Sequence, residues 1–418
     1  MARNRLVLAY SGGLDTSVAI RWLDEHLGYD VIALAVDVGQ AADGDGMEVI
    51  RQRALRCGAV DAVVVDACDE FAEHFVAPAI RANALYMGKY PLVSALSRPL
   101  IVRHLVRVAR ATGATAVSHG CTGKGNDQVR FEVGTMCLAP DLTVEAPIRS
   151  WGLTRDQAIA WAEERGVPVP VTRASPYSID ENLWGRTAEC GILEDPWVKP
   201  PEDVYARSVS PLATPDTPQE LTITFAAGLP VAVDGKEMAL ADLVAEVDRR
   251  AGTHGVGRID MIEDRLVGIK SREIYECPGA VTLLTAHRDL EDLCLEQELA
   301  DHKRHEEGRY AQLIYNGLWW GPLKRAIDAF VEEASREVRG DVRVELFKGQ
   351  ASVVGRRSDV ALYDESLATY GGDDRFDHTQ AEGFVRLWGL PLKTWARVSH
   401  AATVDPPAAA RRQSGARR

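Results

Sequence analysis

The stretch Arg5-Leu6-Val7-Leu8-Ala9-Tyr10-Ser11-Gly12-Gly13-Leu14-Asp15-Thr16-Ser17 decides how the first half of the chain folds. Its opening apolar run is short, with the continuous hydrophobicity of a strand buried on both faces of a parallel sheet. Two adjacent glycines follow, so the backbone can turn sharply and approach a ligand without a β-carbon in the way. The helix expected next presents free N–H groups and the positive end of its dipole, which together favour an anion. Ser11, Thr16 and Ser17 add hydroxyl donors, and the whole reads as a phosphate cradle. It is neither the Walker pattern, because no lysine occupies the loop, nor G-x-G-x-x-G. The bland alternative is a surface turn with Asp15 or Thr16 as helix N-cap.

Outward from this junction the pattern repeats. A helix over 16–27 carries Ile20, Leu23 and Leu27 at spacings of three and four. Strands are expected at 31–36, 62–65 and 114–119, and helices at 47–57, 69–83 and 92–112. Successive β–α–β units imply a parallel sheet covered on both faces. Ligands of such sheets sit beyond the carboxyl ends of the strands, which directs attention to the loops that begin at Tyr10, Val36 and His119. The pattern changes near Pro168-Val169-Pro170, and the chain to about 218 is rich in Pro, Ser and Asp. A hairpin (221–225 with 231–233), a helix (238–250), a strand (280–284), a long charged helix (290–315) and a second hairpin (342–347 with 351–355) make the remainder α+β. Trp319-Trp320 reads as packing. Residues 401–418 carry four arginines and no apolar face, the pattern of a disordered tail.

At 418 residues the chain is too long for one compact core. The expected division is a nucleotide-binding domain over 1–168, an α+β domain over 169–360, an oligomerisation segment over 361–400 and the tail. A net charge of −13 argues against a protein that coats nucleic acid, which needs clustered Lys and Arg. No run approaches the ~20 apolar residues that span a bilayer, and the apolar segment after Arg5 is too short for a signal-peptide core. Seven cysteines, odd in number and never spaced C-x-x-C, speak against a disulfide framework, a zinc site or a dithiol motif. A cytoplasmic protein with no protein-only metal site is expected.

A second motif, Ser118-His119-Gly120-Cys121-Thr122-Gly123-Lys124-Gly125-Asn126-Asp127-Gln128-Val129-Arg130-Phe131-Glu132, holds three glycines within six residues. It is a loop where backbone approaches something closely, and it shares the carboxyl edge of the sheet with the first. Lys124, Asn126, Asp127 and Arg130 combine cation, amide, carboxylate and guanidinium, a mix suited to a zwitterionic amino acid beside a nucleotide. The alternative is a surface loop with a satisfied Asp–Arg pair. Cys121 reads as a small filler.

Ser-Gly-Gly-x-Asp-x-Ser resembles the pyrophosphate-binding loop of the ATP pyrophosphatases. Paired with His119 to Glu132, it is similar to the argininosuccinate synthase family. The resemblance continues through Lys89-Tyr90-Pro91-Leu92, Ser97-Arg98-Pro99, Pro176 to Trp184, His254 to Asp260, Glu263-Asp264-Arg265, Gly268 to Glu276 and Ser366 to Tyr370, in order from about residue 5 to 395.

That resemblance implies a Rossmann-like, adenine nucleotide alpha hydrolase-like domain with a second, synthetase domain and a C-terminal extension. It implies a homotetramer clasped by C-terminal helices, although Pro391 and Pro406-Pro407 would interrupt such a helix. The implied reaction joins citrulline and aspartate while ATP is cleaved to AMP and pyrophosphate, with magnesium accompanying the nucleotide. By the same resemblance Ala9, Tyr10, Ser11, Gly12, Gly13, Leu14, Asp15, Thr16, Ser17 and Gly120 bind ATP. Tyr90, Arg130, Ser178, Thr187, Glu263 and Tyr275 bind citrulline, Thr187 standing where the family often has serine. Thr122, Asn126 and Asp127 bind aspartate, with Asn126 shared between both substrates, and Asp15, Asn126 and Asp127 carry the chemistry. Without the resemblance, Glu263 reads as part of a solvated turn and Tyr275 as a half-buried strand residue. No side chain stands out as a general base. Rival readings are a paralogue with another ureido or amine substrate, a sulfur-inserting enzyme acting on transfer RNA, and a nucleotide-binding regulator without turnover. The second of these needs a reactive cysteine pair and a basic face.

Overall fold

The computed structural model describes residues 3–40, 46–168 and 177–399. The glycine-containing loop after Gln40 lies mostly outside the described residues, as do Pro176, the Pro406-Pro407 pair and the tail. The chain forms two compact units, Met1–Leu362 and Tyr363–Arg418.

The first unit begins with five parallel strands: β1 (Arg5–Ala9), β2 (Asp30–Asp37), β3 (Asp61–Asp66), β4 (Ala116–Ser118) and β5 (Thr143–Glu145), in the order β3-β2-β1-β4-β5. Alternation along β1, with both faces covered, explains why its sequence is apolar from Leu6 onward. Leu6 and Leu8 pack on one face with Val18, Ile20 and Leu23 of α1 (Leu14–Leu27). Val7 and Ala9 pack on the other with Leu96 and Leu100. α2 (Met47–Arg56) links β2 to β3. A helical stretch then runs as α3 (Cys68–Phe71), a π-helical turn (Ala72–Val76) and α4 (Ala77–Arg81), before α5 (Val93–Thr112). α6 (Asp127–Leu138), α7 (Pro147–Trp151) and α8 (Arg155–Glu164) complete this layer. The strand order reverses between β1 and β4, the switch point beyond whose carboxyl ends such sheets bind ligands.

Two antiparallel sheets follow. β6 (Ser178–Asn182), β7 (Gly185–Glu189), β11 (Arg258–Asp264) and β12 (Lys270–Glu276) form a sheet ordered β11-β12-β7-β6. β8 (Gln219–Ala226), β9 (Leu229–Val233), β10 (Lys236–Glu237), β13 (Gly340–Phe347) and β14 (Gln350–Arg357) form one ordered β10-β9-β8-β13-β14. α9 (Leu240–Thr253), α10 (Pro278–Cys294), α11 (Gln297–Tyr315) and α12 (Pro322–Ala334) are the helices of this part.

Three expectations need correction. Residues 280–284 are helical, not a strand: they lie in α10, whose first position is Pro278, where a missing N–H does no harm. The single helix over 290–315 is two. Leu295 is extended (ψ 140°), and the Glu296 carboxylate accepts from the N–H groups of Glu298 and Leu299 to start α11 afresh. The stretch after 168 holds β6 and β7, whose polar sequences Ser-Ile-Asp-Glu-Asn and Gly-Arg-Thr-Ala-Glu hide the strand pattern.

The second unit holds α13 (Glu365–Ala368), α14 (His378–Trp388) and α15 (Leu390–Ser399). Helix is interrupted at Gly389 and resumes with Pro391 in its first turn, so the proline shapes a break without preventing a helix. Among the described residues no helix is long and apolar enough to cross a membrane.

Candidate active site

The turn after β1 is made by Gly12, whose φ of +78° is the left-handed conformation that glycine adopts freely. Gly13 is the N-cap of α1, with no side chain capping it. Neither Asp15 nor Thr16 is the N-cap; a helix start of this kind, with its dipole, favours an anion. Ser11 Oγ and Thr16 Oγ1 are 3.1 Å apart, and the Tyr10 hydroxyl lies 3.0 Å from Ser17 Oγ in the interior. The Arg53 guanidinium on α2 donates to the Gly12 carbonyl at 3.0 Å, bracing the turn from behind.

The loop after β4 comes against this turn. A β-carbon at Gly120 would lie 2.6 Å from Thr16 Cγ2, so only glycine lets the two segments meet. Gln128 Nε2 donates to the carbonyls of Gly123 and Gly125 (2.6 and 3.2 Å), closing the loop onto the start of α6. Asn126 Oδ1 accepts from the Leu266 N–H at 2.9 Å, which ties the loop to the β11–β12 turn.

Between these loops and the β11-β12-β7-β6 sheet lies a cavity of about 420 Å³. Among the expected residues Ala9, Tyr10, Ser11, Asp15, Thr16, Tyr90, Gly120, Thr122, Asn126, Asp127, Arg130, Ser178, Thr187, Glu263 and Tyr275 line it. Gly12, Gly13, Leu14 and Ser17 do not: the glycines supply the turn, while Leu14 and Ser17 are buried beneath it. Lys124 is exposed and does not line it either.

The charged groups interlock. Arg98, on α5, donates from Nε to Asp127 at 2.9 Å and from Nη2 to Asp180 at 2.5 Å. Arg130 Nη1 reaches Asp127 at 2.7 Å. Burial pushes the Asp127 carboxyl up, but the two guanidiniums outweigh it and hold the group down at about 2. Glu263 is buried on β11, accepting from the hydroxyls of Tyr275 (2.7 Å) and Tyr315 (2.8 Å), so it is not part of a solvated turn. Tyr275 is fully interior and stacks on Tyr90 with ring centroids 4.0 Å apart. Arg265 joins Glu189 (2.5 Å) and Glu273 (2.6 Å). Burial, reinforced by the charges of Glu189 and Glu263, pushes the Glu273 carboxyl up to about 9. Thr187 Oγ1 is buried in the wall with no hydrogen-bond partner among the described residues. Burial raises the Cys121 thiol well above its ordinary range, which suits a filler and not a nucleophile. Trp319 packs on Phe75, away from the cavity.

Sequence reasoning did not single out Arg98, Asp180, Glu189, Arg265, Glu273 or Tyr315. The first five stood inside quoted motifs or beside them. Tyr315, at the end of a charge-laced helix, carried no signal.

The model of the arginosuccinate synthase N-terminal HUP domain matches residues 5–168, and that of the C-terminal domain matches 177–395. The argininosuccinate synthase of Limosilactobacillus reuteri (strain DSM 20016) is 56% identical over 400 residues, covering 96% of this chain and 97% of that one. That of Bacillus pumilus (strain SAFR-032) is 57% identical over 394 residues, covering 94% and 97%. A solved U34-tRNA thiolase from Methanococcus maripaludis is similar at 16% identity over 41% of this chain, with a TM-score of 0.29, too small a likeness to bear on activity. The chain belongs to the argininosuccinate synthase family.

Proposed function

We propose that the cavity between the two loops and the β11-β12-β7-β6 sheet is where ATP, citrulline and aspartate are brought together. The reaction is that of the family. The citrulline ureido oxygen attacks the α-phosphorus, pyrophosphate leaves, and the aspartate amine then displaces AMP from the activated carbon. A ureido carbon is a poor electrophile because its nitrogens donate into it, so adenylation of its oxygen supplies the leaving group. The observation that carries the assignment is the meeting of Gly120 and Thr16, which puts the anion-binding turn and the polar loop on one cleft.

In this reading the backbone of residues 9–17 and the N-terminus of α1 hold the β- and γ-phosphates. They stabilise charge that grows on the departing pyrophosphate, which contributes to rate as well as binding. Val36 and Val38 give the nucleotide an apolar wall. Arg130 takes the citrulline carboxylate and Glu263 its ammonium, with Tyr90, Ser178, Thr187 and Tyr275 around them. Thr122, Asn126 and Asp127 hold aspartate. Magnesium binds proteins through one or two carboxylates together with substrate phosphates and water. Asp15, in the first turn of α1 and on the cavity wall, fits that donor set. Bound with ATP, the ion neutralises phosphate charge.

The homotetramer and a cytoplasmic location belong to the same proposal. Phe384, Val385, Leu387, Trp388, Leu392 and Trp395 on α14 and α15 are all more than 60% exposed, a density of apolar side chains that suits burial by another copy. All seven cysteines are free thiols, as in a reducing compartment. Steady-state pyrophosphate release with ATP, citrulline and aspartate tests the function. Release that needs both amino acids and yields argininosuccinate is expected, and equal release without either one refutes the reading.

A further inference from the structure

Two charged groups on the cavity wall come from different parts of the first unit. Arg130 is on α6, in the parallel-sheet part, and Glu263 is on β11, in the antiparallel part. One residue touches both. The Tyr315 hydroxyl donates to Glu263 Oε1 at 2.8 Å, while its backbone carbonyl accepts from Arg130 Nε and Nη2 at 3.1 and 3.0 Å. Tyr315 closes α11, so this carbonyl is among those a helix leaves unpaired, at the negative end of its dipole, and a guanidinium suits it.

The arrangement is built to hold. Tyr315 is 1% exposed, and its ring stacks flat on Tyr86 with centroids 3.6 Å apart. The chain then turns at Gly317 (φ +75°), where a β-carbon would press to 3.0 Å from Arg130 Cα. The end of α11 is thus seated directly on the start of α6. Arg130 has five N–H donors. Two bonds go to Tyr315 and one to Asp127, which leaves donors for a ligand carboxylate. Glu263 keeps lone pairs for an ammonium after accepting from Tyr275 and Tyr315.

We propose that Tyr315 is a positioning residue that sets the spacing between Arg130 and Glu263, and so selects a ureido substrate bearing an α-amino acid head. This rests on the assignment of citrulline to Arg130 and Glu263 above. Losing the phenol leaves Glu263, among the described residues, with the Tyr275 hydroxyl as its remaining hydrogen-bond donor, free to swing away from the place where the substrate ammonium must lie. Binding of that head suffers, while the adenylation step, served by other groups, does not.

The experiment uses the full-length protein, with pyrophosphate release as readout. Wild-type turnover with citrulline tests the underlying assignment, and the ratio of variant to wild type tests this proposal, so the two failures are distinguishable. Tyr315→Phe keeps the ring and the carbonyl. It is expected to raise the KM for citrulline about ten-fold or more, the weight of a hydrogen bond to a charged group. The kcat and the KM values for ATP and aspartate should stay within about three-fold. Preference for citrulline over 5-ureidopentanoate, which lacks the α-ammonium, should narrow by a similar factor. Gly317→Ala, which displaces the carbonyl and spares the phenol, should raise the same KM. Tyr310→Phe is the control: it removes a phenol–carboxylate bond (2.7 Å to Asp328) from the same helix away from the cavity. Its citrulline KM should not move. The proposal is overturned if Tyr315→Phe and Gly317→Ala both leave the citrulline KM within two-fold, or if Tyr310→Phe raises it as much.

Discussion

Gly120 and Thr16 are in contact so close that a single methyl group added at 120 would overlap the threonine methyl, Cβ to Cγ2 at 2.6 Å. Through this contact two segments a hundred residues apart in sequence form one edge of the cavity. Gly120→Ala is expected to lower kcat/KM for ATP at least ten-fold, because Thr16 is buried and cannot simply swing aside. Adding Thr16→Ser removes the offending methyl and keeps the hydroxyl near Ser11, so the double variant should recover most of the loss. A double-mutant cycle on steady-state rates reads the coupling directly.

Asp127 is the shared counter-charge of Arg98 and Arg130. Asp127→Ala should reduce product formation at least a hundred-fold while ATP affinity, measured by calorimetry, stays within a few-fold. Near-normal turnover in the variant refutes its role. Its carboxyl is depressed to about 2, so the stability it contributes is fully present above the ordinary aspartate value. That stability is lost only as pH falls toward 2. The acid side of the pH–rate profile above pH 4 should therefore not report Asp127.

Thr187→Val removes a buried hydroxyl that has no partner among the described residues and keeps the shape of the side chain. A merely structural threonine would be indifferent to this change. The melting temperature should hold or rise, while the KM for citrulline rises several-fold, as measured by thermal denaturation and pyrophosphate release on the same sample.

Burial first, and then the charges of Glu189 and Glu263, raise the Glu273 carboxyl to about 9 against the opposing pull of the Arg265 guanidinium. The folded state then binds a proton that the unfolded chain releases near 4.5, so this residue progressively lowers stability as pH rises from 4.5 toward 9. Glu273→Gln removes that dependence. The melting temperature of the variant should exceed that of the parent by a margin that widens between pH 5 and pH 9; a constant margin contradicts the account.

Much of this was legible in the sequence because local rules and tertiary demands agreed. β1 and its glycine turn are apolar strand, φ-positive glycine and helix start in succession; the rival N-cap at Asp15 or Thr16 is displaced to Gly13. Residues 280–284 were misread because a short apolar run looks alike in a buried helix and a buried strand. Only the cap at Pro278 distinguishes them. β6 and β7 escaped because Ser178, Asp180, Glu181, Thr187 and Glu189 line the cavity, where function overrides the usual alternation. Glu263 and Tyr275 looked ordinary for the same reason, since nothing local announces that a charged residue will be buried against two phenols. Tyr315 lies 185 residues from Arg130, and such a contact exists only once the two parts of the unit are folded together.

The central claim is that the turn gripping pyrophosphate and the loop holding the amino acids act on one bound citrulline, whose ureido oxygen becomes bonded to phosphorus. Citrulline labelled with ¹⁸O in the ureido group, incubated with the protein, ATP and aspartate, tests it by mass spectrometry of the nucleotide product. One ¹⁸O per AMP is the predicted result. Unlabelled AMP formed alongside argininosuccinate would contradict it.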